Sequence, residues 1–227
     1  MSIAIKKKTE STSNFVYRVL KDMIMNLKLK PGDTFNEIEI GQELNVSRTP
    51  IREAIIRLTE EKLVNIFPQK GLVVSKINLI LIEETIFMRI LCETQILKEI
   101  CEYDKCDELI KELEKNIKYQ EVNLTYDNNC YEFYQLDNEF HKIIFEYAGK
   151  PNTWEIINKF SNHFNRLRLI DVFEKKNLRK SLEEHIEIIN ILKNKKVKKI
   201  DNFLLKHITK YKKEIENLKI KYPNYFE

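Results

Sequence analysis

The chain has 227 residues, of which 43% are hydrophobic and 33% charged, with only 4 Gly and 5 Pro. That is enough apolar material for one or two domains with real cores, and the scarcity of breakers favours a mostly helical protein. The whole net charge of +4 lies within residues 1–76 and the remainder is balanced, which suits contact between the N-terminal part and an anionic partner such as DNA.

No apolar run reaches the roughly 18 residues of a membrane span, and the start, MSIAIKKKTE, lacks the apolar region of a signal peptide. Cys92, Cys101, Cys106 and Cys130 show no CxxC spacing, so they read as reduced thiols in a cytoplasmic protein.

In chain order, Phe15, Val16, Val19, Leu20, Met23, Ile24 and Leu27 recur at helical spacing and predict a first helix over 12–28. Lys30-Pro31-Gly32-Asp33 is a turn. A second helix, about 36–44, carries Gly41 in its interior, a choice that costs roughly 1 kcal/mol against Ala and that a close helix crossing would explain. Asn45 suits the left-handed backbone of a tight turn, Val46 plugs the gap between helices, and Ser47 or Thr49 can cap a third helix over 48–61. Pro50 falls in its first turn, where it is tolerated. Arg48 and Arg52 share a face at the helix start, where a recognition helix meets base edges and phosphates; an ordinary surface helix with two exposed arginines is the plainer alternative. Residues 63–67 and 72–74, around Pro68-Gln69-Lys70-Gly71, read as a small hairpin with a basic tip able to approach a minor groove or a phosphate. Three helices and this hairpin make a winged helix-turn-helix over residues 1–76.

Beyond Ser75-Lys76-Ile77-Asn78 the pattern is helical throughout, over 79–102, 105–123, 129–148, 151–171, 178–194 and 197–219. Residues 77–227 therefore form an all-α bundle of about six helices, so the fold class is mainly α. Within it Asp137 and His141 lie at i and i+4, and His185 and His207 sit at the margins of apolar stripes on two other helices. One Asp and three His form a suitable first shell for a divalent transition metal, Zn, Ni, Co, Fe or Mn. Spacing alone leaves open whether the three histidines converge or each is a satisfied core side chain. His163 has no carboxylate at i±4 and stays outside this set. Arg89, Arg166 and Arg168 lie in apolar settings, suited either to an anionic ligand or to an ion pair with a nearby Glu.

These residues resemble the GntR family of bacterial transcription regulators, in the FadR-like branch with an all-helical FCD effector domain, over about residues 12–210. The likeness rests on Lys30-Pro31-Gly32, on Asn45-Val46-Ser47-Arg48-Thr49-Pro50-Ile51-Arg52-Glu53-Ala54-Ile55, and on Pro68-Gln69-Lys70-Gly71. In the second half it rests on Arg89-Ile90-Leu91-Cys92-Glu93, Asp137 with His141, Ser181-Leu182-Glu183-Glu184-His185, and His207. The resemblance implies that Arg48 and Arg52 contact DNA with help from Ser47 and Thr49, and that Lys70 and Gly71 form the wing tip. It also implies that Asp137, His141, His185 and His207 hold a metal, zinc foremost, whose shell a small organic acid completes near Arg89, Arg166 and Arg168. Ile38 departs from the family's basic residue there, Asn45 replaces the usual Gly, and Lys150 replaces the usual Asn.

The resulting expectation is a cytoplasmic, ligand-controlled regulator, a repressor in sign, binding a palindromic operator as a homodimer, without enzymatic activity and without a membrane partner. Two rivals are weighed against it. The helical domain could serve dimerisation alone and carry no metal. Alternatively, an Asp-His₃ ion could activate water in a metal-dependent enzyme, with Glu139 and Glu184 as the available bases.

Overall fold

The computed structural model describes residues 5–103, 105–127, 130–174 and 177–227. The chain forms two compact units: residues up to Leu79 together with Lys219–Glu227, and Ile80–Leu218.

In the first unit, α1 (Thr12–Met25) begins at Ser11, whose hydroxyl accepts from the Asn14 amide. It ends before Leu27, short of the expected residue 28, because Leu27 adopts a left-handed backbone (φ 56°). Helix α2 (Glu37–Leu44) is capped by the Asn36 side chain, which accepts from the Glu39 amide at 2.8 Å. Helix α3 (Arg48–Glu60) follows after the turn residue Asn45, which is left-handed (φ 52°) as its identity predicts. Strands β2 (Val64–Phe67) and β3 (Gly71–Val74) form the hairpin. A two-residue strand, β1 (Thr34–Phe35), pairs antiparallel with the other edge of β3; two residues are too few to leave a periodic signal. One face of each helix and the inner faces of β2 and β3 close over Val16, Ile24, Ile51, Leu58, Leu63 and Val74, all fully buried. The tail joins this unit through a parallel bridge between Ile77 and Phe226.

Gly41 explains itself here. A Cβ on it would lie 3.2 Å from the Val46 carbonyl oxygen and 3.4 Å from Ile51 Cδ1, a tight fit that a side chain could take only if the turn gave way slightly. At the wing, Gly71 carries φ 75°, a backbone that side-chain-bearing residues rarely adopt.

The second unit is helical: α4 (Leu79–Glu102), α5 (Asp107–Val122), α6 (Cys130–Tyr147), α7 (Pro151–Phe160), α8 (Asn162–Phe173), α9 (Leu178–Lys193) and α10 (Ile200–Thr209). A π-helical turn, Asn123–Asp127, follows α5, and α11 (Ile215–Lys221) leads back to the first unit.

Two expected helices are broken. The span 151–171 splits at Ser161, whose hydroxyl donates to the Ile157 carbonyl at 2.6 Å while its own amide turns to Asn158 O. A hydroxyl that takes over the i−4 carbonyl displaces the helical bond and lets the axis bend. The span 197–219 is interrupted by 3₁₀ turns at Val197–Lys199 and Lys210–Lys213. The second turn follows Thr209, whose hydroxyl likewise takes the Leu205 carbonyl. The redirected α8 has no solvent face: every residue from Asn162 to Val172 is buried.

Candidate metal centre and nucleic-acid interface

In the first unit, Ser47 is the N-cap of α3, but its hydroxyl makes no capping bond. The third helical residue is Pro50, so the amide that such a hydroxyl would take is missing. Ser47, Arg48, Thr49 and Arg52 are exposed together at this helix start. Arg52 is also ion-paired with Glu37 of α2 at 3.2 Å, a contact the sequence reading did not include. Lys70 and Gly71 are exposed at the hairpin turn. Arg57, one turn beyond Arg52 on the same helix, is occupied instead with packing: its guanidinium lies 3.7 Å above the Tyr17 ring and donates to Asn14.

In the second unit, helices α6, α9 and α10 bring His141, His185 and His207 together. One ring nitrogen from each lies within 4.8 Å of the others, and the three imidazoles are buried. Nδ1 of His185 and of His207 is hydrogen-bonded to an acceptor, and Nδ1 of His141 lies close to a carboxylate without a hydrogen bond to it. His141 Nδ1 lies 2.7 Å from Glu93 Oε2, His207 Nδ1 lies 2.7 Å from Glu184 Oε2, and His185 Nδ1 lies 3.0 Å from Gln120 Oε1.

The Gln120 contact fixes a tautomer. Asn116 Nδ2 donates to the Leu136 carbonyl and Gln120 Nε2 donates to Asn116 Oδ1. Gln120 is therefore left with its oxygen toward His185, which must carry the proton on Nδ1. His185 Nε2 then carries a lone pair, and with Nδ1 protonated beside the Glu93 and Glu184 carboxylates, Nε2 of His141 and of His207 does as well. His207 Nε2 and His141 Nε2 stand 3.3 Å apart, and His185 Nε2 is buried without a hydrogen-bond partner. Lone pairs that face one another without a proton between them fit a cation, and acceptors behind the ring are the usual support for imidazole ligands. The donor set therefore suits a divalent transition ion.

Asp137 stands beside this triad. Its Oδ1 lies 3.7 Å from His185 Nε2 and its Oδ2 4.0 Å from His141 Nε2, while Oδ2 is ion-paired with Arg168. The three expected ligand-binding arginines are all buried with partners. Arg89 pairs with Glu93 at 2.6 Å on its own helix, Arg166 donates to His163 Nδ1 at 3.0 Å, and Arg168 also reaches Asn138 at 2.8 Å.

Electrostatics keeps the centre in a ligand-ready state. Burial lowers His141 and lowers His185 strongly, and pushes His207 down to about 4, so the imidazoles are neutral. Burial alone would raise Glu93 and Asp137. The guanidinium beside each, Arg89 at Glu93 and Arg168 at Asp137, outweighs it and holds both carboxyls well below their ordinary range.

One buried cation was absent from the sequence reading. Lys210 donates from Nζ to Ser181 Oγ at 2.7 Å and to Glu184 Oε2 at 2.8 Å, the same oxygen that receives His207. A lysine in a lysine-rich C-terminal segment carries no sequence signal of burial.

Comparison with known proteins assigns this architecture. Residues 12–74 match the bacterial regulatory proteins of the gntR family, and residues 84–210 match the FCD domain. The HTH-type transcriptional repressor RspR of Escherichia coli (strain K12) is 23% identical over 218 residues, covering 96% of this chain and 95% of that protein. The gluconate operon transcriptional repressor of Bacillus subtilis (strain 168) is 27% identical over 192 residues, covering 82% and 77%. Among solved structures, Escherichia coli McbR/YncC superposes with a TM-score of 0.71 at 20% identity, covering 94% of this chain and all of that one. With a helix-turn-helix whose recognition helix begins SRTPIREA and an FCD bundle matched over more than half its length, the chain belongs to the GntR family of DNA-binding transcription regulators.

Proposed function

We propose that the protein is a cytoplasmic repressor that binds a palindromic double-stranded operator as a homodimer and is released by a small organic acid at a metal centre in the helical unit. The observation that carries the metal reading is the convergence of three buried imidazoles, with Nδ1 of His185 and of His207 hydrogen-bonded to an acceptor and Nδ1 of His141 beside the Glu93 carboxylate. Zinc is the ion that neutral imidazoles with a neighbouring carboxylate suit best, with nickel, cobalt, iron or manganese as alternatives. His141, His185 and His207 would hold it, with Asp137 as the adjoining carboxylate. When bound, the ion supplies open positions that accept a carboxylate oxygen. Arg168, already turned to Asp137, is placed to share its guanidinium with such an anion, and Arg89 and Arg166 support the walls. Release from DNA is a population shift: an effector with different affinities for two arrangements of the bundle biases them. A relative named for a gluconate operon supports an organic acid as the effector class.

On the DNA side, Arg48 and Arg52 reach base edges, Ser47 and Thr49 the backbone, and Lys70 with Gly71 the groove beside the wing. Two-fold symmetry doubles these contacts. The mate's place is the apolar face where Ile80, Phe87 and Leu91 of α4 lie exposed beside Ile156 and Phe160 of α7. The Thr85 hydroxyl reaches the Phe160 carbonyl at 3.3 Å, so the two helices adjoin.

A mobility-shift assay on the DNA upstream of the gene, with and without a panel of carboxylic acids, tests the whole reading. Elemental analysis of the purified protein tests the ion. Retardation that no acid relieves, in a protein holding no stoichiometric metal, would favour a helical unit that serves dimerisation alone.

A further inference from the structure

The metal centre is bordered by three carboxylates, and each already has its own cation. Glu93 pairs with Arg89 at 2.6 Å, Asp137 with Arg168, and Glu184 with Lys210 at 2.8 Å. Both members of the first two pairs are buried, as is Lys210, while Glu184 keeps a small exposed edge. The imidazoles that complete the site bring no charge as ligands. In a site whose carboxylates stand alone, the protein's own anions offset a divalent ion. Here they are offset already, and an ion on the three Nε2 atoms adds two positive charges to a buried, balanced cluster, which is unfavourable without counter-charge. Lys210 decides this balance. It follows His207 by one helical turn and shares Glu184 Oε2 with it, so the one carboxylate that would otherwise stand negative behind an imidazole is neutralised.

We propose that the three internal ion pairs, Lys210–Glu184 above all, couple the ion to a dianionic ligand, so that a divalent metal and an organic dianion are bound as a neutral unit and neither is held tightly alone. The effector class is thereby narrowed from organic acids at large to dicarboxylates, or to acids whose second group ionises on the metal. The inference rests on the metal reading given above.

The test uses the full chain, freed of metal by chelation and titrated with cobalt(II), whose visible absorption reports tetrahedral or five-coordinate binding. Titrations run at neutral pH and constant ionic strength in a non-coordinating buffer, then with acetate, then with succinate. Succinate should tighten cobalt binding by about 5- to 150-fold, the usual span of coupling between two sites, and acetate by less. Calorimetry should find succinate binding strengthened by the same factor when the ion is present, because such coupling is reciprocal. Lys210→Met, which leaves Glu184 unpaired, should bind cobalt more tightly without any anion and should gain as much from acetate as from succinate. If that variant does not fold, the anion series on the unaltered chain still decides. Cobalt binding that is lost in His185→Ala but is equally tight in all three solutions overturns the coupling and leaves the metal reading standing. No cobalt binding in any solution overturns both.

Discussion

Gln120 shows how much a single amide can set. Its oxygen is aimed at His185 only because its nitrogen is committed to Asn116, which is itself committed to the Leu136 carbonyl. Replacing it by Leu removes the acceptor that keeps the proton on Nδ1, and metal affinity should fall by about 10- to 100-fold, the common effect of losing such support; cobalt titration measures it. At the other unit, Arg48→Ala and Arg52→Ala should each cost roughly 1–3 kcal/mol of operator affinity if they read guanine edges. Arg52 leaves Glu37 behind, so a single Arg52 variant also exposes an unpaired carboxylate toward DNA, and its loss should be the larger of the two. Mobility shifts on one operator compare them, and unchanged binding in the double variant would end the recognition-helix assignment. The three histidines that converge were visible in the sequence as candidates because each lies at the edge of an apolar stripe, and Asp137 because it is one turn from His141, though spacing left their convergence open. Their acceptors were not. Gln120 and His185 lie 65 residues apart, and Glu184 and His207 23 apart, and no periodicity links residues on different helices. The arginines showed the reverse limit. Their apolar settings were readable, but whether each faced a ligand or an ion pair depended on where Glu93, His163 and Asp137 came to rest.

At the scale of elements, the tight α2–α3 turn was readable from its residues. Asn45 takes the left-handed backbone and Gly41 allows the crossing. A Val at position 41 would gain only about 0.3 kcal/mol of helix propensity over Gly. It would also force branched carbons against the Val46 carbonyl and Ile51, and overpacking of that kind costs about 1–3 kcal/mol or more. The net should be a lower melting temperature and weaker DNA binding together, read by thermal denaturation and mobility shift. Helix starts with polar caps were placed well, whereas the breaks at Ser161 and Thr209 were not. At both, a hydroxyl bonds the carbonyl four residues back, and since Thr85 makes the same bond inside the unbroken α4, residue type alone does not mark the break. The apolar face of α4 and α7 makes its own prediction. Phe87→Glu with Leu91→Glu should convert a dimer into a monomer in sedimentation while leaving helical content intact, and operator affinity should fall because one head alone reads too few base pairs.

For the molecule as a whole, the buried imidazoles set a pH dependence. They titrate lower in the folded chain than the ordinary value of 6.5, His207 at about 4, so the folded state binds fewer protons than the unfolded one between these limits. Stability is complete above pH 6.5 and falls as the pH drops toward 4. Below that, Glu93 and Asp137, held low by their cations, extend the loss. Melting temperature followed downward from pH 6.5 should decline through this window, and bound metal should leave over the same range as protons compete for Nε2. A melting temperature that is flat from pH 6.5 to pH 4 would contradict the buried, neutral triad.

The enclosure of α8 reaches further than packing. A helix with no face toward water has no private route to solvent, so its amides exchange with deuterium only when the whole helical unit opens. The slowest-exchanging amides between Asn162 and Val172 then serve as a built-in gauge of that unit's opening free energy. Anything bound by the closed form alone slows them by the factor one plus ligand concentration over its dissociation constant. Exchange along α8, recorded with metal, with acid and with both, would therefore read the energetics of ligand control from inside the bundle, without DNA in the tube.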